Sequence, residues 1–259
     1  QGLKGSMRGI VDGIYRHPVK GLTPEPMNAV RLEAGVHFPG DRSYAIEVGP
    51  SGFDPANPKH ISKQRFTVLA RFPALARIKT RLDDETGVFH VGDAHGFGVE
   101  TRLDTDDGRA QLERFLQAFL GEDAPGKLRV LESPPGHRFM DHPQGFISVI
   151  NLASIRSVAL AIGQPVDPLR FRANIYVDGL KPWAEDDWIA GAAVKLGNAE
   201  LSVFKPIVRC VATHVNLDTG ERDIDMVDML RQNFGRDTLG TYFSIAAGGG
   251  VSVGDALEG

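Results

Sequence analysis

Short segments, rather than long helices, dominate this chain. Its 259 residues include 30 glycines and 16 prolines, which interrupt the apolar runs. Such frequent interruption favours short β-strands joined by turns. Alternating or β-branched patterns predict strands at residues 9–16, 29–33, 43–48, 75–82, 88–91, 128–132, 146–150, 173–177, 193–196, 201–204 and 208–215, followed by a terminal pair around Phe243 and Val251.

Three segments carry a helical pattern instead. Apolar residues recur at helical spacing over residues 107–121, 151–162 and 227–233. Asp107 and Asn151 are residue types that cap helix starts, and they stand where the first two helices should begin. The pattern predicts a β-rich α+β protein, with two barrel-like lobes that meet near residue 105.

The charge of the chain is slightly acidic. A formal net charge of -4 and an isoelectric point near 6.1 give no electrostatic reason to expect nucleic acid or an anionic membrane as a partner. No run of about 18 apolar residues occurs, and the first seven residues lack the apolar core of a signal peptide. We therefore expect a cytoplasmic protein that binds neither nucleic acid nor membrane.

Cys210 is the only cysteine in the chain. A single thiol excludes an internal disulfide framework, an iron–sulfur cluster held by this chain alone and a zinc site of several thiolates. Composition leaves two interpretations open, a buried structural thiol or a reactive ligand. On the predicted strand 208–215, Arg209 would point away from Cys210, so the positive charge that favours a thiolate would have to come from elsewhere.

The eight histidines are dispersed, without the spacing of a zinc site. His214 would lie about 13 Å from Cys210 along an extended strand, which is too far for a catalytic thiolate–imidazolium pair. His137 and His142 fall in a polar loop predicted at residues 133–145. There they either border a substrate entrance or are solvated loop residues.

Several blocks of the sequence resemble a known family. Residues 14–21 (IYRHPVKG) and 40–42 (GDR) resemble the N-terminal β-barrel region of the MOSC proteins, which are named after the C-terminal domain of molybdenum cofactor sulfurase. Residues 170–175, 183–188, 209–210 and 218–221 are similar to successive blocks of the MOSC domain itself. The resemblance runs over nearly the whole chain. It implies a MOSC N-terminal β-barrel-like region at residues 8–105 and a MOSC β-barrel domain at residues 106–259.

The resemblance also implies a molybdenum cofactor site. In the family a cysteine ligates molybdenum held by a pterin dithiolene, and Cys210 is the matching residue; a thiolate suits such a thiophilic metal. By the same resemblance, the residues that contact the phosphate or pterin, or position it, are Lys20, Arg42, Arg65, Arg172 and Asn174. For each basic residue the alternative is a solvated or surface-paired charge.

Three positions depart from the family pattern. One is Asn151, where relatives often carry serine or threonine; its role as a plain N-cap needs no cofactor. Many relatives carry serine where Gly21 follows Lys20, so a backbone amide would replace a hydroxyl as a phosphate contact. Some shorter relatives carry an additional cysteine where this chain has Ile207. Cys210 is therefore the one thiolate that this sequence offers.

The family includes the amidoxime-reducing component and bacterial reductases of N-hydroxylated bases. The resemblance implies a molybdenum-dependent oxidoreductase, independent of pyridoxal phosphate, that reduces an N-hydroxylated or N-oxygenated small molecule by two electrons. The sequence has neither the cysteines for its own iron–sulfur centre nor a Gly-x-Gly-x-x-Gly motif, so we expect an external ferredoxin, flavoprotein or haem protein as electron donor. Two alternatives remain open, sulfur transfer through a Cys210 persulfide and a non-catalytic carrier of the cofactor.

Overall fold

The computed structural model describes residues 8–144 and 146–259. Predictions for residues 1–7 and for Gly145 lie outside the described residues. The helices are α1 (Asp106–Leu120), α2 (Leu152–Ile162) and α3 (Met226–Phe234). The strands are β1 (Arg8–Arg16), β2 (Glu25–Met27), β3 (Ala29–Leu32), β4 (Tyr44–Val48), β5 (Lys79–Leu82), β6 (Phe89–Gly92), β7 (Gly98–Thr101), β8 (Leu128–Glu132), β9 (Ile147–Asn151), β10 (Ile175–Asp178), β11 (Ala193–Leu196), β12 (Ala199–Val208), β13 (Thr238–Ala247), β14 (Gly249–Ser252) and β15 (Ala256–Glu258).

Seven strands close into a β-barrel. They follow the order β10, β9, β13, β12, β11, β15, β1, and β1 pairs with β10 to complete the ring. The β9–β10 pair is parallel, and the other pairs around the ring are antiparallel. Side chains that alternate towards the interior, such as Ile14, Ile175 and Phe243, form its buried core. Closure pairs the backbone groups that an open sheet would leave at its edges.

A second apolar core is built by α1, the β4–β8 pair and the β5–β6–β7 sheet. Leu112 and Leu116 of α1 face this core. Thr105, rather than the predicted Asp107, caps α1, because its hydroxyl is placed to accept a hydrogen bond from the N–H of Gly108 at 3.1 Å. The prediction of a helix here is confirmed.

Helices α2 and α3 form a third cluster together with Tyr176 of the barrel strand β10. As predicted, Asn151 caps α2, and its Oδ1 accepts a hydrogen bond from the N–H of Ala153 at 3.0 Å. The cap places the end of β9 and the start of α2 at the same residue, so the chain leaves the barrel there without a connecting loop.

The prediction of a β-rich α+β fold is confirmed, with corrections in its details. The predicted strand 75–82 is half wrong: Pro73–Arg77 forms a 3₁₀ turn, and β5 begins only at Lys79. Pro73 stands at the first position of this turn, where its fixed φ favours a helical start. Three strands of three or four residues, β2, β7 and β15, were not predicted, because such short segments carry too little periodicity to detect.

The segment around Cys210 is not a strand, which corrects the prediction for residues 208–215. Strand β12 ends at Val208, and Val211–His214 forms a 3₁₀ turn with Cys210 as its N-cap residue. Thr213 donates to the carbonyl oxygen of Cys210 twice, from its backbone N–H at 3.0 Å and from its hydroxyl at 2.9 Å. This local bonding takes the place of strand pairing. The opposite-face argument for Arg209 and the strand distance to His214 therefore do not apply.

In the structure, elements from each of the two predicted domains pack together with elements of the other. Strand β1 lies within the barrel, whereas α1 and β8 pack in the second core. The boundary near residue 105 stays a prediction. Within the described ranges, no helix is both long enough and apolar enough to cross a bilayer.

Candidate functional site

A cavity of about 290 Å³ opens beside the end of β12. Its walls come from residues 20–21, 42, 63 and 68–70, from the loop at residues 140–142, from the segments 170–172, 205–210 and 212–213, and from Ser148 and Tyr242. Among the described residues, one acidic side chain, Asp141, lines it against seven basic ones, which are Lys20, Arg42, Lys63, Arg170, Arg172, Lys205 and Arg209. A concave site with this excess of positive charge attracts anionic ligands.

Cys210 lies in this cavity wall, partly buried, with a lysine beside its sulfur. Lys63 donates from Nζ to Sγ of Cys210 at 3.3 Å. Burial lowers the pKa of Lys63, but Asp141 and Cys210 outweigh it and the net shift is upward, so the amine stays protonated. Lys63 is therefore the nearby positive charge that a thiolate needs and that the sequence did not locate.

Asp141 bridges two lysines of the cavity. Its Oδ1 accepts a hydrogen bond from Nζ of Lys20, and its Oδ2 lies 4.0 Å from Nζ of Lys63. Lys20 is only 2% exposed and also donates to the carbonyl oxygen of Phe139 at 2.8 Å. Desolvation alone would raise the pKa of Asp141, but Lys20, Lys63 and nearby Arg42 hold it well below its usual range. The loop at residues 139–141 thus supplies the partners of the buried Lys20 ammonium.

Arg42 is paired with a fully buried carboxylate. Asp41, which is 0% exposed, accepts a hydrogen bond from Nη1 of Arg42 through Oδ2. Its Oδ1 accepts from the backbone N–H of His17 at 2.6 Å. Burial, together with Arg42 and Arg172, lowers the pKa of His17 to about 3, so the imidazole is neutral. Arg42 is therefore the charged partner of the Asp41 carboxylate.

Arg172 is a cavity cation with an unsatisfied donor, as is Arg170, whose Nε is also buried without a partner in the described part of the chain. In Arg172, Nη2 is buried and has no hydrogen-bond partner among the described residues. Burial and the neighbouring Arg42 lower the pKa of Arg172 to about 10, which leaves it protonated at neutral pH. Its carbonyl oxygen accepts from Nη2 of Arg42 at 3.2 Å, so the two arginines are linked. An anionic oxygen that reached Nη2 from the cavity would satisfy the orphaned donor.

Arg42 and Arg172 share an uncommon backbone conformation. Their φ angles are 48° and 53°, in the left-handed region, and Trp183 is the one other non-glycine residue with positive φ among those described. This conformation costs a non-glycine residue about 1 kcal/mol or more. Strain of this kind concentrates at ligand sites, where the surrounding structure holds it in place.

The remaining two arginines of the cavity differ in their partners. Arg170 makes a bidentate pair with Asp223, at 2.7 and 2.8 Å, which neutralises its charge. Arg209 donates instead to the carbonyl oxygens of Leu239 and Phe171, at 2.7 and 3.0 Å, and lies 5.3 Å from the centre of the Phe171 ring. None of the ion pairs between described residues includes Arg209. The direct partners of its guanidinium are thus backbone carbonyl oxygens and an aromatic face.

Four of the predicted site residues line the cavity, namely Lys20, Arg42, Arg172 and Cys210, whereas Asn174 and Arg65 do not. The Asn174 side chain is fully buried: Oδ1 accepts from the N–H and hydroxyl of Ser148, at 3.1 and 3.0 Å, and Nδ2 donates to the carbonyl oxygen of Tyr15 at 3.2 Å. These bonds fasten β9 to β1. Arg65 is exposed. Cofactor contacts by Asn174 and Arg65 stay predictions.

Gly21 presents backbone rather than a side chain to the cavity. Its φ is 88°, and a Cβ atom there would lie 2.0 Å from the carbonyl oxygen of Thr67. A serine therefore does not fit this backbone without a shift of the neighbouring main chain at Thr67. Any phosphate contact at this position would come from main-chain atoms.

One of the three histidines considered from sequence, His142, lines the cavity. The ring of His137 packs against that of Phe139, with centroids 5.3 Å apart. His214 points towards the start of α3, where its Nε2 lies 3.4 Å from Oδ1 of Asp225. The described contacts of the His214 ring are thus with the start of α3, and the exclusion of a cysteine hydrolase stays a prediction.

Sequence reasoning missed Lys63 and Asp141. Lys63 lies two residues before Arg65, on the 3₁₀ turn Lys63–Arg65, and the turn directs Lys63 rather than Arg65 to the cavity. Asp141 fell in the predicted polar loop. That loop contains Phe139 and Met140, which are 3% and 4% exposed. This apolar pair was the available signal that the loop packs inwards.

Comparison with known proteins gives these features a family context. The profile of the MOSC N-terminal beta barrel domain matches residues 8–126, and the profile of the MOSC domain matches residues 136–258. The two matches follow one another along the chain and leave only short stretches unmatched.

Individual relatives are distant. Mitochondrial amidoxime-reducing component 1 from Homo sapiens is 28% identical over 195 residues, which are 66% of this chain and 56% of that protein. A molybdenum cofactor sulfurase from Caenorhabditis briggsae is 26% identical over 237 residues, 82% of this chain and 33% of that protein. Among solved structures, the YUAD protein from Bacillus subtilis gives a TM-score of 0.47 at 14% identity, covering 98% of this chain and 96% of that one. The chain spans between 10% and 56% of the length of such curated relatives.

Proposed function

The chain belongs to the MOSC family, and we propose that it binds the molybdenum cofactor in the cavity, with Cys210 as the protein ligand to the metal. The described residues contain no group of three or more histidine, cysteine or acidic side chains that could hold a metal ion. A metal at Cys210 would therefore need further ligands from a cofactor, and a dithiolene provides thiolate sulfurs of matching softness.

The orphaned Nη2 of Arg172 carries this proposal. A buried donor without a partner costs roughly 1–3 kcal/mol, so such groups are rare in native structures. A phosphate oxygen would satisfy it through a charge-assisted hydrogen bond, in a cavity that already holds Arg42 and Arg209. The residues present thus fit an anionic, phosphate-bearing ligand, with the thiol of Cys210 in the same cavity.

We further propose that the protein reduces an N-hydroxylated or N-oxygenated small molecule. When bound, the cofactor supplies the two-electron chemistry. Cys210 would hold the metal at the cavity wall, Lys63 would donate to its sulfur, and the arginines would orient the phosphate. The name of the human relative, an amidoxime-reducing component, supports this substrate class. A ferredoxin, flavoprotein or haem protein would deliver the electrons, and the single cysteine fits the reducing cytoplasm that we propose as the location.

Metal and pterin analysis of the purified protein tests the proposal. The native chain should carry molybdenum and pterin in near-equal amounts and reduce an amidoxime with dithionite as electron source. Cys210→Ser, which keeps the size of the side chain, should lose the metal or change its absorption spectrum. If Cys210→Ser and the native chain hold equal molybdenum with the same spectrum, the ligand assignment is wrong.

Sulfur transfer is the second candidate, supported by the relatives named molybdenum cofactor sulfurase and by the partial exposure of Cys210 beside Lys63. In that reaction the Cys210 thiolate attacks the outer sulfur of a persulfide donor. The S–S bond of the donor breaks, the donor leaves as a thiolate, and a Cys210 persulfide forms. Mass spectrometry of the native protein separates the candidates: an added sulfur atom on Cys210 without bound molybdenum favours sulfur transfer.

A further inference from the structure

The ammonium of Lys20 is already engaged by an anion of the protein itself. Two of its three donors are taken by Asp141 and by the carbonyl oxygen of Phe139. A phosphate on the third donor would lie next to the Asp141 carboxylate, and two negative charges at such short range repel. The Lys20 ammonium can therefore bind a phosphate without this repulsion only if Asp141 moves away.

Two of the acidic side chains that pair with cavity cations, Asp41 and Asp141, differ in how firmly they are held. Asp41 is 0% exposed, and its two oxygens are fixed by Arg42 and by the N–H of His17. The side chain of Asp141 is 45% exposed, and no backbone N–H of the described residues donates to it. Asp141 can thus turn towards solvent without leaving a buried carboxylate behind, whereas Asp41 cannot.

We propose that Asp141 is an internal anion of the cavity: its carboxylate neutralises the Lys20–Lys63 pair, and a phosphate-bearing ligand binds by displacing it. This inference rests on the proposed function, because it presupposes that the cavity takes such a ligand. Displacement weakens the apparent affinity by the fraction of molecules in which Asp141 has turned away.

Displacement also connects the anion site to the sulfur. Lys63 lies between Asp141 and Cys210, 4.0 Å from Oδ2 of the first and 3.3 Å from Sγ of the second. When Asp141 turns away, the sulfur of Cys210 remains as a partner of the Lys63 ammonium. Phosphate binding at Lys20 would in this way strengthen the interaction between the Lys63 ammonium and the sulfur of Cys210.

Isothermal titration of the full chain with inorganic phosphate, at an ionic strength held constant with chloride, tests the displacement. Asp141→Asn keeps the shape of the side chain and removes its charge. With Asp141 turned away in about a tenth of native molecules, this variant should bind phosphate about tenfold more tightly. Asp178→Asn removes a carboxylate from the exposed pair with Arg156 and is the matched control; its Kd should stay within about twofold of the native value.

The gain must also depend on Lys20. In a Lys20→Met background, where an apolar side chain of similar length fills the buried site, Asp141→Asn should give no further gain. An Asp141→Asn variant that binds phosphate no more tightly than the native chain overturns the inference but leaves the proposed function standing. If neither protein binds phosphate, the proposed anion site and the inference fail together.

A measurement on the native chain covers the case in which Asp141→Asn does not fold. Hydrogen exchange of the loop at residues 139–144 should become faster on addition of phosphate, because displacement breaks the contact that ties the loop to Lys20. Exchange that is unchanged or slower in a phosphate-bound protein contradicts displacement of Asp141.

Discussion

The two walls of the cavity handle positive charge in different ways. The first wall, from residues 20–63, carries three cations that each face a carboxylate: Lys20 and Lys63 face Asp141, and Arg42 faces Asp41. The second wall, from the segments 170–172 and 205–210, carries four cations. Asp223 neutralises Arg170, but no carboxylate forms an ion pair with the other three, Arg172, Lys205 and Arg209, within the described residues. The first wall is neutralised by the protein, whereas the second leaves charge for a ligand.

This difference separates stability from binding. Removing one partner of a buried ion pair is costly because the other charge remains buried and unpaired. Removing a buried charge that has no partner removes the desolvation cost of that charge. It weakens only the binding of the ligand that would have paired with it. Substitutions in the first wall should therefore mainly destabilise the fold, whereas substitution of Arg172 in the second wall should mainly weaken anion binding.

Asp41→Asn should have the largest effect on the first wall. The substitution leaves the Arg42 guanidinium without its carboxylate and points an amide N–H group at another donor. We expect the free energy of unfolding to fall by about 3–5 kcal/mol, measured by urea denaturation. The control is Asp178→Asn in the exposed pair with Arg156, which should cost no more than about 1 kcal/mol. Equal losses in the two variants would remove the distinction between buried and exposed pairs.

The pH dependence of the free energy of unfolding is a second test of the Asp41–Arg42 pair. Burial raises the pKa of Asp41, but Arg42 and His17 outweigh it and hold the pKa below the ordinary value of 3.8. A carboxyl with a depressed pKa stabilises the fold above that ordinary value, and the contribution disappears as the pH falls towards the folded-state pKa. Native stability should therefore decrease below about pH 4 more steeply than that of Asp41→Asn.

Arg172→Met tests the second wall. We expect the affinity for inorganic phosphate to fall by about tenfold to a hundredfold, the range of a hydrogen bond to a charged group. The free energy of unfolding should change by less than about 1 kcal/mol or increase, because the lost Nη2 has no partner among the described residues. A destabilisation as large as that of Asp41→Asn would show that the two walls do not differ in this way.

Much of the fold follows from local signals. The bounds predicted for β8 and β11 are those observed, and Asn151 caps α2 as predicted. Alternation and capping act over a few neighbouring residues, so the sequence displays them directly. The turn at Cys210 escaped prediction because an apolar run reads as strand, whereas the decisive bonds are those from Thr213 to the Cys210 carbonyl oxygen.

The residues of the site could be predicted from the sequence, but their ion-pair partners could not. Family blocks identify Lys20, Arg42, Arg172 and Cys210, which the fold brings to one cavity. The contact of Lys20 with Asp141 joins residues 121 positions apart and depends on how the loop packs. No local pattern encodes such a contact, so a sequence cannot tell a neutralised cation from an available one.

Lys63→Met tests the link between the first wall and the sulfur. With Nζ of Lys63 3.3 Å from Sγ, its removal should slow alkylation of Cys210 by iodoacetamide at pH 7 by up to about tenfold, because a cation favours negative charge on sulfur. Cys210 is the only cysteine, so total alkylation reports on it alone. Lys59→Met, at an exposed lysine outside the cavity, is the control and should leave the rate unchanged. Equal rates in the two variants would mean that the Lys63 contact does not affect the thiol.

Arg65→Met should have the smallest effect, although Arg65 shares a 3₁₀ turn with Lys63. Its side chain is exposed and does not line the cavity, so water already solvates its charge. We expect the phosphate Kd to stay within about twofold and the free energy of unfolding within about 0.5 kcal/mol of the native values. A loss of phosphate affinity like that of Arg172→Met would show that the first wall extends onto the exposed side of the turn. The first wall would then contribute charge to the ligand without displacement of a carboxylate, and the separation of stability from binding would hold only for Lys20 and Arg42.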